Sequence, residues 1–167
     1  MFGSGLRRLL CVALMMWMLP APAALAIGLE AALETRGTVL LLRHALAPGY
    51  GDPDDFRVDD CSTQRNLSAT GVRQAERLGE RLRALGYRAS PVYSSPWCRC
   101  LDTATAMAVG PVVAHDGLAS YFEDHVNREA TLQSLDSLFR QLPAEAPPVL
   151  MVTHQVVIGD VTGRYPG

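Results

Sequence analysis

Short apolar segments that alternate with amphipathic stretches constrain the fold of this sequence more than any other feature. Residues 38–42 (TVLLL) and 149–152 (VLMV) are apolar or β-branched throughout, which is typical of central strands covered on both faces. Shorter runs at residues 91–93 and 112–114 predict two further strands. Because helical patterns lie between these runs, we predict a three-layer α/β/α sandwich with a largely parallel central sheet.

Amphipathic segments between the predicted strands have the spacing of helices. In the first, Ser68 is placed to cap the N-terminus and Gly86 to end the helix in the left-handed conformation. Its inward face consists of Val72, Ala75, Leu78, Leu82 and Leu85. The SSP motif at residues 94–96 is predicted to cap and open a second helix, which places Arg99 in its first turn. A third helix is predicted to follow Asn127 as its cap.

The N-terminal 26 residues have the pattern of an export signal. Two arginines precede an apolar stretch over residues 9–19, and Ala24-Leu25-Ala26 forms a small-x-small cleavage site. The apolar stretch is shorter than the ~20 residues of a membrane-spanning helix. We therefore predict a signal peptide over residues 1–26 and a mature domain over residues 27–167. The mature protein is expected to be periplasmic or secreted, with no stable membrane span after cleavage.

The charged residues exclude several classes of function. All 15 basic residues are arginine, so chemistry that depends on a lysine Schiff base is excluded, and the planar guanidinium groups suit phosphate or carboxylate ligands. The formal net charge of -2 gives no indication of a nucleic-acid partner. The length of 167 residues with 49% apolar content fits one domain with one site.

Three cysteines remain after the predicted cleavage. In an oxidising compartment, Cys61, Cys98 and Cys100 are expected to form one disulfide and leave one thiol. The long-range pairings Cys61–Cys98 and Cys61–Cys100 both fit. A zinc site is the rival interpretation, but the C-x-C spacing is tighter than that of usual structural zinc sites. We therefore predict no metal.

Arginine and histidine residues follow three of the predicted strands. Arg43 and His44 follow the first run, Arg99 lies in the turn after the second, and His154 follows the last. Ligands of open parallel sheets bind at the carboxyl ends of the strands, so we expect these side chains to meet. A neutral imidazole can attack phosphorus and carry the phosphoryl group. Arginines favour that neutral form and bind the phosphoryl oxygens, so the pattern predicts a phosphate pocket around His44.

Four sequence blocks in this order resemble the histidine phosphatase superfamily, whose fold is phosphoglycerate mutase-like. They are LLLRHA at residues 40–45, RNLSATGVRQAERLG at 65–79, VYSSPWCRCLDTA at 92–104 and VTH at 152–154. The resemblance implies that His44 is the phosphorylated nucleophile, that Arg43 and Arg99 bind phosphate, and that His154 is the second histidine of the pocket. It also implies that no metal or organic cofactor is needed.

The resemblance further implies a carboxylic acid that protonates the leaving oxygen. Glu123 is our candidate because it follows the predicted strand at residues 112–114 and precedes a helix, in a loop that could reach the pocket. Asp124 and Asp116 remain as alternatives.

The chain departs from the family pattern at three positions. Ala45 replaces the glycine that usually follows the nucleophilic histidine, and Gln155 follows the second histidine. The sequence ends at Gly167, where family members usually continue into another strand or helix, so a truncated C-terminus stays open.

The sequence therefore predicts an exported phosphatase that hydrolyses a phosphomonoester through a phosphohistidine at His44. Its partner would be a small phosphorylated substrate or a phosphate group of the cell envelope. Two alternatives remain: a non-catalytic phosphate- or anion-binding protein on the same fold, and a phosphoglycerate mutase-like phosphotransferase.

Overall fold

The computed structural model describes residues 28–166, so the predicted signal peptide lies outside the described residues. The strands are β1 (Val39–Arg43), β2 (Val92–Ser94), β3 (Val112–Ala114) and β4 (Val149–Thr153). The helices are α1 (Leu29–Glu34), α2 (Ala69–Ala84), α3 (Cys98–Met107), α4 (Arg128–Gln141) and α5 (Gln155–Thr162). Short 3-10 turns lie at Cys61–Thr63, Asp116–Leu118 and Phe122–Asp124. Each of the four predicted strands is thus present, within one residue of its predicted position.

The four strands form one parallel sheet in the order β1-β4-β2-β3. In register, Arg43 of β1 pairs with Thr153 of β4 and Ser94 of β2 pairs with Val152 of β4. The carboxyl ends of β1, β4 and β2 therefore lie side by side. This confirms the predicted parallel sheet and brings the residues after these strands to one edge.

Alternating side chains of the strands pack against helices on opposite faces of the sheet. On one face, Leu40, Leu42, Val92, Leu150 and Val152 belong to an apolar cluster with residues of α1, α2 and α3. On the other face, Val39, Leu41, Tyr93, Val149 and Met151 pack with residues of α4 and α5. Both faces are covered, as the uniformly apolar strands indicate. The three-layer α/β/α prediction is confirmed.

Helix caps follow the sequence in two of three cases. The Ser68 hydroxyl accepts a hydrogen bond from the amide of Gly71 (3.0 Å), and Asn127 Oδ1 accepts one from Ala130 (2.9 Å). Gly86 has a φ of 78°, as its predicted left-handed position requires. For α3 the prediction was wrong, because its N-cap is Trp97 and no side chain of that residue caps it.

A distant side chain replaces the expected cap of α3. Gln64 Oε1 accepts the hydrogen bond of the Cys98 amide (2.9 Å). The disulfide joins Cys61 to Cys98, with the two Cα atoms 5.7 Å apart. Both contacts tie the long loop between β1 and α2 to the start of α3. Within residues 28–166, none of the helices has the length and apolar character needed to cross a membrane.

Candidate active site

A pocket of about 360 Å³ opens at the carboxyl ends of β1, β4 and β2. Its lining includes each residue predicted for catalysis and phosphate binding, namely Arg43, His44, Arg99, Glu123 and His154. Among the residues that the structure describes, the alternative acids Asp116 and Asp124 do not line this pocket. The sheet topology thus brings together side chains that are up to 111 residues apart in sequence.

His44 is held by two backbone carbonyl groups. Its amide donates to the Thr153 carbonyl (3.0 Å), which fixes the end of β1 beside β4. Its Nδ1 lies 2.8 Å from the Ala45 carbonyl oxygen. A carbonyl oxygen can only accept a hydrogen bond, so Nδ1 carries the proton in the neutral ring. The lone pair of the neutral ring is therefore on Nε2.

The surroundings of His44 keep its imidazole neutral. The side chain is 8% exposed, and burial is the largest cause that lowers its pKa from 6.5 to about 4. The hydrogen bond to Ala45 opposes this shift, while the charges of Arg99, Arg65 and Arg43 add to it. A neutral ring with a free Nε2 lone pair has the form that a nucleophile needs.

His154 faces His44 across the pocket, with ring centroids 5.5 Å apart. Its Nε2 lies 2.8 Å from the Ser95 hydroxyl oxygen, which also accepts a hydrogen bond from the Trp97 amide (3.3 Å). Burial, followed by the charges of Arg99 and of a protonated His44, lowers the pKa of His154 well below its usual value. Ser95 therefore engages one nitrogen of a neutral ring and leaves Nδ1 for other partners.

The guanidinium groups of the pocket are only partly satisfied by the protein. Among the described residues, the buried Nε atoms of Arg43 and Arg99 have no hydrogen-bond partner. Buried donors without partners are costly. Both arginines line the pocket, where their positive charges favour an anion.

Arg65 is a further cation of the pocket that the sequence reasoning did not assign. Its Nε donates to the Gly51 carbonyl (2.7 Å) and its Nη1 donates to the Ala47 carbonyl. These bonds hold the loop after β1 around the guanidinium group. The available signal was its place as the first residue of the RNLSATG block.

Asp52 is the second residue that sequence reasoning missed. Its Oδ1 accepts hydrogen bonds from Arg99 Nη1 (2.7 Å) and the Arg65 amide (2.9 Å), and its Oδ2 accepts one from Trp97 Nε1 (3.1 Å). Burial alone would raise the pKa of Asp52, but these bonds outweigh burial and lower it. The side chains of Asp52 and Arg99 are each 3% exposed, so Asp52 fixes the orientation of Arg99 in the pocket.

Glu123 is brought to the pocket by a strained turn. Glu123 and Asp124 have φ values of 71° and 58°, a left-handed conformation that costs about 1–2 kcal/mol per non-glycine residue. Glu123 Oε2 accepts the amide hydrogen of Asp52 (2.8 Å). The carboxyl group lies directly against Gly51, so a Cβ at that position would displace it. Strain that persists at a pocket is typical of functional sites.

His125 contacts both Glu123 and the ring of Phe56. Its Nε2 lies 3.6 Å from Glu123 Oε2, and its ring stacks on Phe56 with centroids 4.3 Å apart. Phe56 in turn stacks on Trp97 at 5.1 Å. The three stacked side chains line a second cavity of about 690 Å³, which also includes Asp116 in its lining.

Asp52, Glu123 and His125 each place one potential ligand atom within 4.8 Å of the others. Hydrogen bonds from Arg99, Arg65 and Trp97 already reach the two Asp52 oxygens, and Glu123 Oε2 accepts from the Asp52 amide. A divalent cation bound to these oxygens would compete with Arg99 and repel it. The arrangement is therefore that of hydrogen-bond acceptors that orient the arginines.

Two of the cysteines, Cys98 and Cys100, lie in the first turn of α3. The Cys61–Cys98 disulfide links the segment before Arg65 to the residue before Arg99. Within the described part of the chain, Cys100 is not in a disulfide. It is buried, and burial raises the pKa of its thiol to about 12. Its Sγ lies 3.4 Å from His154 Nε2.

Comparison with known families identifies the class of protein that this fold and site define. The family model of the histidine phosphatase superfamily (branch 1) matches residues 39–131. The match covers β1 to the first residues of α4, and therefore includes Arg43, His44, Arg99 and Glu123. The chain belongs to the histidine phosphatase superfamily.

Solved structures from this superfamily share the fold. The chain is 25% identical to SixA of Nakamurella multipartitia, provisionally described as a phosphohistidine phosphatase, with a TM-score of 0.50. That match covers 75% of this chain and 63% of that structure, so the chain spans less than two thirds of its length. SixA of Agrobacterium tumefaciens, with the same provisional description, is 24% identical with a TM-score of 0.53, and the match covers 76% and 75% of the two chains. The comparison with curated proteins yields no match.

Proposed function

We propose that this chain is a phosphatase that hydrolyses a phosphomonoester through a phosphohistidine on Nε2 of His44. The observation that carries the proposal is the hydrogen bond of His44 Nδ1 to the Ala45 carbonyl (2.8 Å). It assigns the lone pair to Nε2 and keeps it there as the ring attacks. The low pKa of His44, about 4, keeps the ring neutral throughout the physiological pH range.

Phosphate binding is assigned to Arg43, Arg65, Arg99 and His154. The guanidinium groups of Arg43, Arg65 and Arg99 line the pocket and supply N–H donors for the phosphoryl oxygens. Charge-assisted hydrogen bonds of this kind contribute about 1.5–3 kcal/mol each. The negative charge of a phosphoryl group in transfer is spread over its equatorial oxygens. Donors fixed in advance around those oxygens stabilise the transition state.

Ser95 acts as a positioning residue for His154. Its oxygen accepts the Trp97 amide hydrogen (3.3 Å), and we assign its own hydroxyl hydrogen to His154 Nε2 at 2.8 Å. A ring that accepts at Nε2 carries its proton on Nδ1. His154 is then a neutral N–H donor for a phosphoryl oxygen.

In the first chemical step, His44 Nε2 forms a bond to phosphorus as the bond to the ester oxygen breaks. Protonated Glu123 donates its proton to that oxygen, so the product leaves as an alcohol. Oε2 of Glu123 accepts the Asp52 amide hydrogen, which leaves Oε1 for the proton. His44 then carries the phosphoryl group on Nε2 and its proton on Nδ1.

In the second step, water replaces the imidazole on phosphorus. Ionised Glu123 takes a proton from the water, whose oxygen forms the new bond to phosphorus while the bond to Nε2 breaks. The products are inorganic phosphate, neutral His44 and protonated Glu123. The site returns to its starting state without another reactant.

The experiment that tests this proposal is trapping of the phosphoenzyme. The purified protein is mixed with 32P-labelled p-nitrophenyl phosphate and quenched in alkali within milliseconds. We expect a label that is stable in alkali, labile in acid and absent in His44→Ala. His115→Asn is the matched control, because His115 lies outside the pocket and its side chain accepts a hydrogen bond from the Gly117 amide (3.1 Å), a contact that Asn can replace.

Each outcome of the trapping experiment separates the proposal from its alternatives. Tight binding of phosphate with no label would favour an anion-binding protein. A label that passes to an alcohol acceptor faster than to water would favour a phosphotransferase. A label that remains in His44→Ala would remove His44 as the nucleophile.

We also propose that the protein is exported and acts on a substrate outside the cytoplasm. The Cys61–Cys98 disulfide supports this, because such bonds persist in oxidising compartments. Mass spectrometry of the protein recovered from the periplasm or medium should give an N-terminus at residue 27. Recovery of the full-length chain from the cytoplasm with reduced cysteines would contradict export.

A further inference from the structure

We propose that the substrate of this site is a phosphomonoester whose leaving group carries a flat aromatic ring, as in an arylmethyl or aryl phosphate. This inference rests on the proposed phosphatase function and specifies its substrate class. The inference rests on two sets of side chains that line the same pocket. The arginine floor binds the phosphate, and the aromatic rim binds the group attached to it. The floor consists of Arg43, Arg65 and Arg99, and the rim consists of Tyr50, Phe122 and Tyr165.

Exposed aromatic side chains are concentrated at this pocket. Within residues 28–166, the aromatic side chains with large exposure are Tyr50 (86%), Phe122 (37%) and Tyr165 (65%). All three line the pocket that contains His44. Exposed apolar groups that gather at one site are typical of a binding surface. Scattered exposure would carry no such meaning.

Tyr50 and Phe122 form one wall of the rim. Their ring centroids lie 5.2 Å apart with an interplanar angle of 88°, the edge-to-face arrangement that aromatic pairs prefer. Tyr50 lies between Gly49 and Gly51, whose φ values are 98° and 68°. These left-handed positions turn the loop sharply at Tyr50. The ring pair therefore presents one exposed aromatic wall.

Phe122 also fixes where the leaving group lies. It directly precedes Glu123, the proposed acid, in the turn Phe122–Asp124. The ester oxygen must lie next to that acid to receive its proton. The substituent on the ester oxygen is therefore placed beside the Tyr50–Phe122 wall, away from the arginine floor.

Tyr165 and Val156 line the same pocket. The Tyr165 ring packs directly on Gly159 of α5, at a point where a Cβ would displace the ring. With the pocket volume of about 360 Å³, the site is near the lower limit of the roughly 300–1,000 Å³ typical of small-molecule sites. A phosphate with one ring fits this size better than a large lipid or an extended peptide.

The first test compares substrates with matched leaving groups. Benzyl, cyclohexylmethyl and methyl phosphate all release primary alcohols, so the chemical step is similar and the ring is the main difference. We expect kcat/KM for benzyl phosphate to exceed that for methyl phosphate by about tenfold or more, since burying a ring contributes more than one factor of ten. The value for cyclohexylmethyl phosphate should fall below that for benzyl phosphate because it lacks a flat face.

The second test uses variants of the rim. Tyr50→Ala and Phe122→Ala should each reduce the benzyl-to-methyl ratio at least about threefold, in keeping with the energy of aromatic pairs. Tyr50→Phe keeps the ring and should keep the ratio. Val113→Ala is the surface control, because Val113 is 43% exposed on β3 and lies outside the pocket.

Phosphonates bind without being hydrolysed, so their binding tests the ring specificity independently of the proposed phosphatase activity. Calorimetry should give a Kd for benzylphosphonate about tenfold below that for methylphosphonate. If benzylphosphonate binds more tightly but no phosphoenzyme is trapped, the ring specificity is supported and the phosphatase proposal is refuted. Equal Kd values, or a preference that survives both alanine variants, would overturn the ring specificity and leave the phosphatase untouched. Equal values for benzyl and cyclohexylmethyl phosphate would overturn the preference for a flat ring.

Discussion

Burial of neutral His44 should make the stability of this protein depend on pH in a way that one substitution removes. The pKa of His44 is lowered from 6.5 to about 4. A shift of this size is worth about 3 kcal/mol, since one pKa unit corresponds to about 1.4 kcal/mol. The side chain is only 8% exposed, so solvent screening reduces this value little.

The sign of the effect follows from proton binding. Between pH 6.5 and 4 the unfolded chain protonates His44 while the folded chain does not. Acid therefore favours the unfolded state in this range. The stabilisation is fully present above pH 6.5 and is lost as the pH falls to about 4. Below that value both states bind the proton and the slope ends.

Urea denaturation of wild type and His44→Gln at several pH values measures this contribution. The buried Trp97 supplies a fluorescence signal for unfolding. Over the range from pH 7 to 4, wild type should lose about 3 kcal/mol more free energy of unfolding than His44→Gln. His115→Asn, which changes a histidine outside the pocket, should keep the wild-type slope.

The comparison of slopes isolates His44, because His154 and the carboxylates are present in both proteins. Equal slopes, within about 0.5 kcal/mol, would refute the placement of a neutral His44 in a buried cationic pocket. The same ionisation should set the acid limb of kcat/KM at a pH of about 4. An acid limb near the unshifted value of 6.5 would contradict both the burial and the role.

Three further predictions test the phosphate ligands, the second histidine and the disulfide. Arg99→Lys should lower kcat/KM at least tenfold because a point charge cannot replace the guanidinium fork, and near wild-type turnover would remove Arg99 from the site. Ser95→Ala should shift the 15N resonances of His154 away from a single Nδ1–H tautomer and lower kcat, with recovery in Ser95→Thr; unchanged resonances would dismiss the positioning role. Cys61→Ser opens a link with a sequence separation of 37 and should lower the free energy of unfolding by about 4 kcal/mol in urea titrations, whereas a loss below about 1 kcal/mol would show that the tie is unimportant.

The sheet and the positions of most site residues were predictable because both depend on local patterns. Uniformly apolar runs predict covered parallel strands, and such strands place the residues that follow them at one edge. Arg43 ends β1, and His44 and His154 directly follow β1 and β4, so their convergence follows once these two strands are neighbours in the sheet. Arg99 followed from the helix after β2, whose start lies one residue before it.

The loop after β1 was not predictable from its sequence. It lacks periodicity, and its path is set by partners that are distant in the chain. Asp52 binds Arg99 across 47 residues, and the disulfide bridges 37. Arg65 is fixed by backbone carbonyls of the same loop. A composition rich in Gly, Asp and Pro indicates a loop but contains no signal for the contacts of Asp52 and Arg65, whereas the cysteine count limited a long-range disulfide to two pairings.

Ser95 shows why a correct local rule can fail. A serine before a helix is typical of an N-cap, yet the Ser95 hydroxyl contacts His154, 59 residues away. The Cys98 amide that needed a cap finds Gln64 instead. The oxygen of Ser95 and the oxygen of Gln64 are both suitable acceptors for the Cys98 amide. Ser95 is engaged elsewhere because β4 places His154 beside the end of β2.

The charges of the pocket match those of a phosphomonoester. Arg43, Arg65 and Arg99 bring three positive charges to the pocket, and Asp52, whose pKa is lowered by its hydrogen bonds, cancels one of them. The two positive charges that remain balance a phosphomonoester dianion. Asp52 therefore has two effects: it orients Arg99 through a hydrogen bond of 2.7 Å, and it limits the positive charge of the pocket to that of the proposed ligand.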